Sequence, residues 1–129
     1  MKRLDEFVVK RHRIAEQYDT ALNCQSVTVP WQHPDAWSSY HLYPIRVREN
    51  ACAKNQSQIS AALINSGINA NLHYIPVYRQ PYYEAMGFKA GYCPQAEEYF
   101  REAITLPMFP ALSQVDQESV IDAVNNLVS

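Results

Sequence analysis

Apolar residues recur at intervals of three and four over much of the chain, a pattern typical of amphipathic helices. We predict helices at about residues 2–22, at 56–66, over one turn at 82–86, at about 94–103, and from Ser113 to near the end of the chain. The first helix has no capping residue before its charged first turn, which is typical of a helix cut out of a longer protein. Gly67 and Ser113 stand where a helix C-terminus and a helix N-cap are expected.

Short apolar stretches bounded by proline, glycine and polar residues predict β-strands at 27–29, 39–47, 68–75 and 104–106. In the second stretch, alternate residues beginning at Tyr43 would share one face of a sheet. Pro44 in that stretch favours an edge strand or a bulge, because proline has no amide hydrogen to donate. The pattern as a whole predicts an α+β domain in which a small sheet of about three strands is covered by helices.

Composition narrows the class of protein. The 129 residues are 47% hydrophobic and 19% charged, which fits one globular domain. The net charge is -2, and the basic residues near the start alternate with acidic ones at helical spacing, so we do not expect a nucleic-acid partner. The sequence has no run of about 18 apolar residues and no signal-peptide pattern, so we expect a cytoplasmic protein without a membrane span.

The usual catalytic and metal-binding motifs are missing from the sequence. Its four histidines and three cysteines show no zinc-site or redox spacing, so we expect no metal site. With three glycines in total, a glycine-rich phosphate loop is excluded. Each cysteine is more typical of a small buried apolar residue than of a nucleophile.

One stretch, N-L-H-Y-I-P-V-Y-R-Q-P-Y-Y at residues 71–83, concentrates His73 and four tyrosines around two prolines. His73 lies near the end of the strand predicted at 68–75 and just before a proline-containing turn, a position that often carries function. It could equally tie the turn to a backbone carbonyl, and its residue type alone does not decide between these readings. The tyrosines are more typical of packing than of chemistry. Arg79 could bind an anion or pair with Glu84.

Several segments, in this order, resemble the C-terminal part of the DegT/DnrJ/EryC1/StrS family of sugar aminotransferases, which use pyridoxal phosphate (PLP). They are R-H-R-I-A-E-Q-Y-D-T-A-L, S-S-Y-H-L-Y-P-I-R-V, G-I-N-A-N-L-H-Y-I-P-V-Y-R-Q-P-Y-Y and C-P-Q-A-E-E-Y-F-R-E-A-I-T-L-P-M-F-P-A-L-S-Q-V-D. The resemblance covers almost the whole chain. Within the family, H-Y-I-P-V-Y is most similar to the UDP-4-amino-4,6-dideoxy-N-acetyl-β-L-altrosamine transaminases of the pseudaminic acid pathway.

The resemblance implies that residues 1–129 form the small C-terminal domain of a fold-type I PLP aminotransferase. Such an enzyme would transfer an amino group from glutamate to a nucleotide-linked keto-deoxysugar in surface polysaccharide or glycan biosynthesis, and would be a homodimer. Carried over residue by residue, His73 matches the family's active-site histidine. The remaining substrate-binding residues implied by the resemblance are Tyr74, Ile75, Pro76 and Tyr78.

The resemblance also implies that this chain holds no catalytic residue. The family's catalytic lysine, the aspartate under the pyridinium nitrogen and the phosphate-binding loop belong to the large PLP-binding domain, which is absent from these residues. The chain's own lysines are at positions that look solvated: Lys2, Lys10, Lys54 and Lys89. We therefore expect the isolated chain to be inactive and free of PLP. The alternative is a free-standing binding or assembly module without catalysis.

Overall fold

The fold is built around one antiparallel sheet. The computed structural model describes residues 3–22, 25–48 and 51–129, and their strands pair in the order β1-β2-β4-β3. The elements are α1 (Leu4–Ala21), β1 (Val27–Thr28), β2 (Tyr43–Val47), α2 (Gln56–Asn65), β3 (Asn71–Leu72), a 3-10 turn (Val77–Arg79), α3 (Pro81–Ala85), α4 (Pro94–Glu102), β4 (Ala103–Leu106) and α5 (Gln114–Val128). The α+β class is confirmed, with four strands where we expected about three.

Two of the strands are shorter than predicted. β2 begins at Tyr43, because Tyr40 has a φ of 43°, a left-handed conformation that interrupts the extended backbone before the strand. β3 comprises only Asn71–Leu72, opposite Thr105 and Ile104 of β4. The chain after β3 therefore leaves the sheet several residues earlier than the apolar pattern indicates, and the residues from His73 onward form a loop.

The edge position predicted for the Pro44 strand is wrong. β2 lies between β1 and β4 in the sheet. Pro44 is nevertheless tolerated because β1 reaches only Arg46 and Val47, so Pro44 is paired on one side alone, with Thr105 of β4. On the side of β1, Pro44 therefore has no strand opposite it, as in an edge strand. No carbonyl group of β1 is left without a partner by the missing amide hydrogen of Pro44.

The hydrophobic core lies between one face of the sheet and the helices α1, α2 and α5. The alternate β2 residues Tyr43, Ile45 and Val47 are buried, as the alternating pattern predicts. They pack with buried side chains of α1 (Ile14, Tyr18), α2 (Ile59, Leu63), β4 (Ile104, Leu106) and α5 (Val120, Val124). All four residues of β4 are buried, because α4 covers the other face of the sheet.

Helix ends follow the sequence signals where those signals exist. Ser113 caps α5 by accepting a hydrogen bond from the Asp116 amide at 3.1 Å, and Gly67 has the left-handed φ of 79° expected after α2. At the start of α1, Arg3 makes no side-chain cap, as its sequence indicates.

The N-terminus of α2 should contribute measurably to stability. The Asn55 side chain accepts a hydrogen bond from the Gln58 amide, and the Gln58 side chain accepts one from the Asn55 amide, both at 3.0 Å. Asn55→Ala should therefore lower the free energy of unfolding by about 1 kcal/mol in urea denaturation. Ser57→Ala, in the same helical turn, is the control and should change it by less than about 0.5 kcal/mol. Equal losses in the two variants would argue against the cap.

Candidate functional site

Residues 73–78, which we call the wall segment, run along the surface from the end of β3 into the 3-10 turn. Tyr74 is 95% exposed, and Ile75 is exposed as well. His73, Pro76 and Tyr78 are half-buried. The five residues expected to bind substrate are neighbours in the sequence, and the structure buries three of them in part while leaving two exposed.

His73 is fixed by side chains from two other elements. Its Nε2 lies 2.8 Å from the hydroxyl oxygen of Thr105 on β4, and its ring meets the Tyr99 ring of α4 edge-on, with centroids 5.2 Å apart. Burial raises the pKa of the Tyr99 hydroxyl, so this neighbour is neutral. Among the described residues nothing hydrogen-bonds to the second ring nitrogen, Nδ1. The histidine is therefore held through Nε2, and Nδ1 has no hydrogen-bond partner among these residues.

Tyr78 uses its hydroxyl inside the protein. The hydroxyl lies 2.8 Å from Glu97 Oε1 and 3.0 Å from the Cys93 carbonyl oxygen, with geometry suited to donation to either acceptor. It also accepts a hydrogen bond from the Cys93 amide at 3.3 Å. The Tyr78 hydroxyl is thus engaged within the protein, which leaves the ring for the substrate contact expected of this residue. Glu97 could not be predicted as a partner of Tyr78, because no local signal in the sequence connects the two residues.

Other residues of the 71–83 stretch separate into packed and exposed groups. Tyr83 packs edge-on against Phe88, with centroids 6.3 Å apart, as a structural tyrosine would. Tyr82 is largely exposed but meets the Tyr83 ring edge-on, with centroids 5.2 Å apart. The packing role expected of Tyr74 is wrong, because its side chain is almost fully exposed. Arg79 donates to Glu84 at 2.8 Å, which supports the ion pair over the anion-binding alternative. The exposed tyrosines offer flat apolar faces with hydroxyl edges, a surface suited to a sugar ring.

The lysines of the described residues do not suit a covalent bond to PLP. Lys10 pairs with Glu6 at 3.2 Å on the surface of α1, and Lys54 and Lys89 are exposed. A Schiff-base lysine needs a desolvated setting that lowers the pKa of its amine, and none of these three residues has one. Lys2 lies outside the described residues. Within the described ranges there is also no group of three or more His, Cys, Asp or Glu side chains that could hold a metal ion.

A second feature is an open groove of about 980 Å³ between β1, β2 and α4. Its charged lining residues are Arg46, Arg48, Glu98, Arg101 and Glu102. Arg46 is already neutralised by Glu102 at 2.6 Å. No residue of the wall segment lines this groove, so we assign it no part in the site.

No helix among residues 3–22, 25–48 and 51–129 has the length and apolar character needed to cross a membrane.

Comparison with known sequences identifies one protein family and a relative of known role. The pattern of the DegT/DnrJ/EryC1/StrS aminotransferase family matches residues 1–125. The spore coat polysaccharide biosynthesis protein SpsC of Bacillus subtilis is 34% identical over an alignment of 131 residues. This alignment covers 99% of this chain and 34% of SpsC. The chain thus spans about a third of the length of this relative.

Solved structures agree in fold and in extent. PseC of Helicobacter pylori, an aminotransferase involved in the biosynthesis of pseudoaminic acid, is 26% identical, with a TM-score of 0.85, and the match covers 98% of this chain and 34% of PseC. Spr1654 of Streptococcus pneumoniae, solved in its PLP form, is 26% identical with a TM-score of 0.85, over 99% of this chain and 34% of Spr1654. In both cases the similarity extends over nearly the whole of this chain and over about a third of the other protein.

Proposed function

Because the chain belongs to the DegT/DnrJ/EryC1/StrS aminotransferase family, we propose that it is the C-terminal domain of a PLP-dependent enzyme that aminates a nucleotide-linked keto-deoxysugar. In this reaction the amino group of glutamate replaces the keto oxygen of the sugar, and glutamate leaves as 2-oxoglutarate. The observation that carries the proposal is His73, whose Nε2 is fixed by Thr105 at 2.8 Å at the head of an exposed aromatic segment. The functions of SpsC and PseC support a role in polysaccharide or glycan biosynthesis.

In this proposal the wall segment binds and orients the nucleotide sugar. His73 presents Nδ1 to a phosphate or hydroxyl oxygen of the substrate, and Tyr74 offers its exposed ring to a sugar face. Ile75 and Pro76 add apolar surface that excludes water, and Tyr78 fixes the end of the segment. PLP supplies the electron sink for amino transfer and is bound by the remainder of the longer enzyme, since the described lysines of this chain do not fit it.

The same proposal places the longer enzyme in the cytoplasm as a homodimer. The competing function is a free-standing binding or assembly module. The reading frame that encodes this chain distinguishes the two functions. A PLP-binding domain encoded immediately upstream would mean that the chain is part of an aminotransferase and not a free-standing module. The segment H-Y-I-P-V-Y is most similar to that of the UDP-4-amino-4,6-dideoxy-N-acetyl-β-L-altrosamine transaminases, and this similarity favours a UDP-linked 4-amino-4,6-dideoxy sugar as the product.

The isolated chain should neither transaminate nor bind PLP covalently. We expect no glutamate-dependent amination of a UDP-linked 4-keto-6-deoxy sugar. Because no described lysine has a buried amine, treatment with PLP and borohydride should give only the scattered, non-saturating labelling typical of exposed amines, and no stoichiometric adduct at a single lysine. The longer protein that carries this chain should do both. Mass spectrometry provides the test, and a borohydride-trapped PLP adduct at one lysine of the isolated chain would contradict the proposal.

A further inference from the structure

Glu97, in the first half of α4, connects three parts of the loop region that follows the wall segment. Its Oε1 accepts hydrogen bonds from the Gly91 amide and the Tyr78 hydroxyl, each at 2.8 Å. The same oxygen lies 3.8 Å from the Arg79 guanidinium. The Glu97 side chain is only 18% exposed, so these contacts are partly shielded from water. One carboxylate oxygen therefore joins α4 to both ends of the segment between residues 78 and 91.

The same helix holds the other end of the wall segment. Tyr99, two residues after Glu97, meets the ring of His73. α4 thus contacts the wall segment through Tyr99 at its first residue and through Glu97 at its last. Between these two points Tyr74 and Ile75 are exposed, so their side chains contribute little to holding the segment in place.

Backbone hydrogen bonds on either side of Tyr78 connect this residue to the rest of the wall segment. The Arg79 amide donates to the Pro76 carbonyl at 2.8 Å, and the Gln80 amide donates to the Val77 carbonyl at 3.0 Å. Moving Tyr78 therefore moves Pro76. We propose that Glu97 is a positioning residue, which fixes the wall segment in one conformation by holding Tyr78 and Gly91. The inference rests on the proposed function, because it assigns that conformation to nucleotide-sugar binding.

The ionisation of Glu97 agrees with this role. The Gly91 amide, and next the Tyr78 hydroxyl, lower the pKa of the carboxyl below its usual value. The carboxylate is therefore charged at neutral pH, and the contact weakens only as the pH falls through that lowered pKa. A glutamine at this position keeps an oxygen that can accept both hydrogen bonds, whereas an alanine keeps neither.

Three variants on α4 test the inference: Glu97→Ala, Glu97→Gln and the control Glu98→Ala. Glu98 carries the same charge on the same helix, and its ion-pair partner is Arg46 at 3.6 Å. In the 129-residue chain we expect Glu97→Ala to speed hydrogen exchange of the Gly91, Arg79 and Gln80 amides by about tenfold, with the β4 amides unchanged. Glu97→Gln should stay near the original chain, and Glu98→Ala should leave these amides unaffected.

In the longer enzyme, Glu97→Ala should raise KM for the nucleotide sugar by about tenfold with little change in kcat, because misplacement of a binding wall weakens substrate binding. Glu97→Gln should restore KM. Unchanged amide exchange in Glu97→Ala would overturn the positioning role whatever the function. Faster exchange with an unchanged KM also overturns it if His73→Ala is impaired in the same assay. If His73→Ala is normal too, the proposed function fails and the inference fails with it.

Discussion

Replacing His73 by alanine in the longer aminotransferase should lower kcat/KM for the nucleotide sugar by about tenfold or more while the enzyme stays folded. The structure leaves Nδ1 of this ring available while Thr105 holds Nε2. A hydrogen bond from a histidine to a charged phosphate contributes roughly 1.5–3 kcal/mol, and each 1.4 kcal/mol corresponds to about tenfold in rate. Steady-state kinetics and the melting temperature should be measured on the same variant.

The structural cost of this substitution can be separated from its functional cost. Thr105 is only 7% exposed, so removing His73 leaves its hydroxyl without that partner in a buried place, at a cost of about 1–3 kcal/mol. The double variant His73→Ala/Thr105→Val removes both partners and should regain much of that stability without regaining kcat/KM. Thr105→Val alone is the matched control, since it keeps the imidazole. Lost stability with unchanged kinetics would mean that His73 only fastens the loop to β4.

Helices and buried faces could be predicted from the sequence because both depend on local periodicity. The 3.6-residue repeat identified α1, α2, α4 and α5 to within a few residues, and alternation identified the buried face of β2. Strand length and strand position could not be predicted in the same way. Both depend on partners distant in sequence: Pro44 is accepted in a central strand only because β1 stops at Arg46.

The candidate site shows the same division. Local residues placed His73 near the end of a strand and before a turn, but the predicted strand continued to Ile75, whereas β3 ends at Leu72. The partners that decide its chemistry could not be predicted from local residues. Thr105 is 32 residues away in sequence, and Glu97 is 19 residues from Tyr78. Tyr78 resembles a substrate-facing tyrosine in sequence, and only the fold shows its hydroxyl turned towards α4.

The position of the wall segment depends on a core that α2 helps to close, and Leu63 tests that core. Leu63 is fully buried, at 0% exposure, whereas the next residue, Ile64, is 54% exposed. Leu63→Ala should lower the free energy of unfolding by about 2–5 kcal/mol, because it removes buried apolar surface and leaves a cavity. Single domains have total stabilities of roughly 5–15 kcal/mol, so the loss should be evident in urea denaturation and in the melting temperature.

Ile64→Ala is the matched control, because it removes a comparable aliphatic side chain from the adjacent position of the same helix. It should change the free energy of unfolding by about 0.5 kcal/mol or less, since its side chain is already largely in contact with water. Successive residues on a helix point about 100° apart, so the two substitutions report the rotation of α2 about its axis. Equal losses, or a larger loss for Ile64→Ala, would show that α2 turns a different face to the sheet.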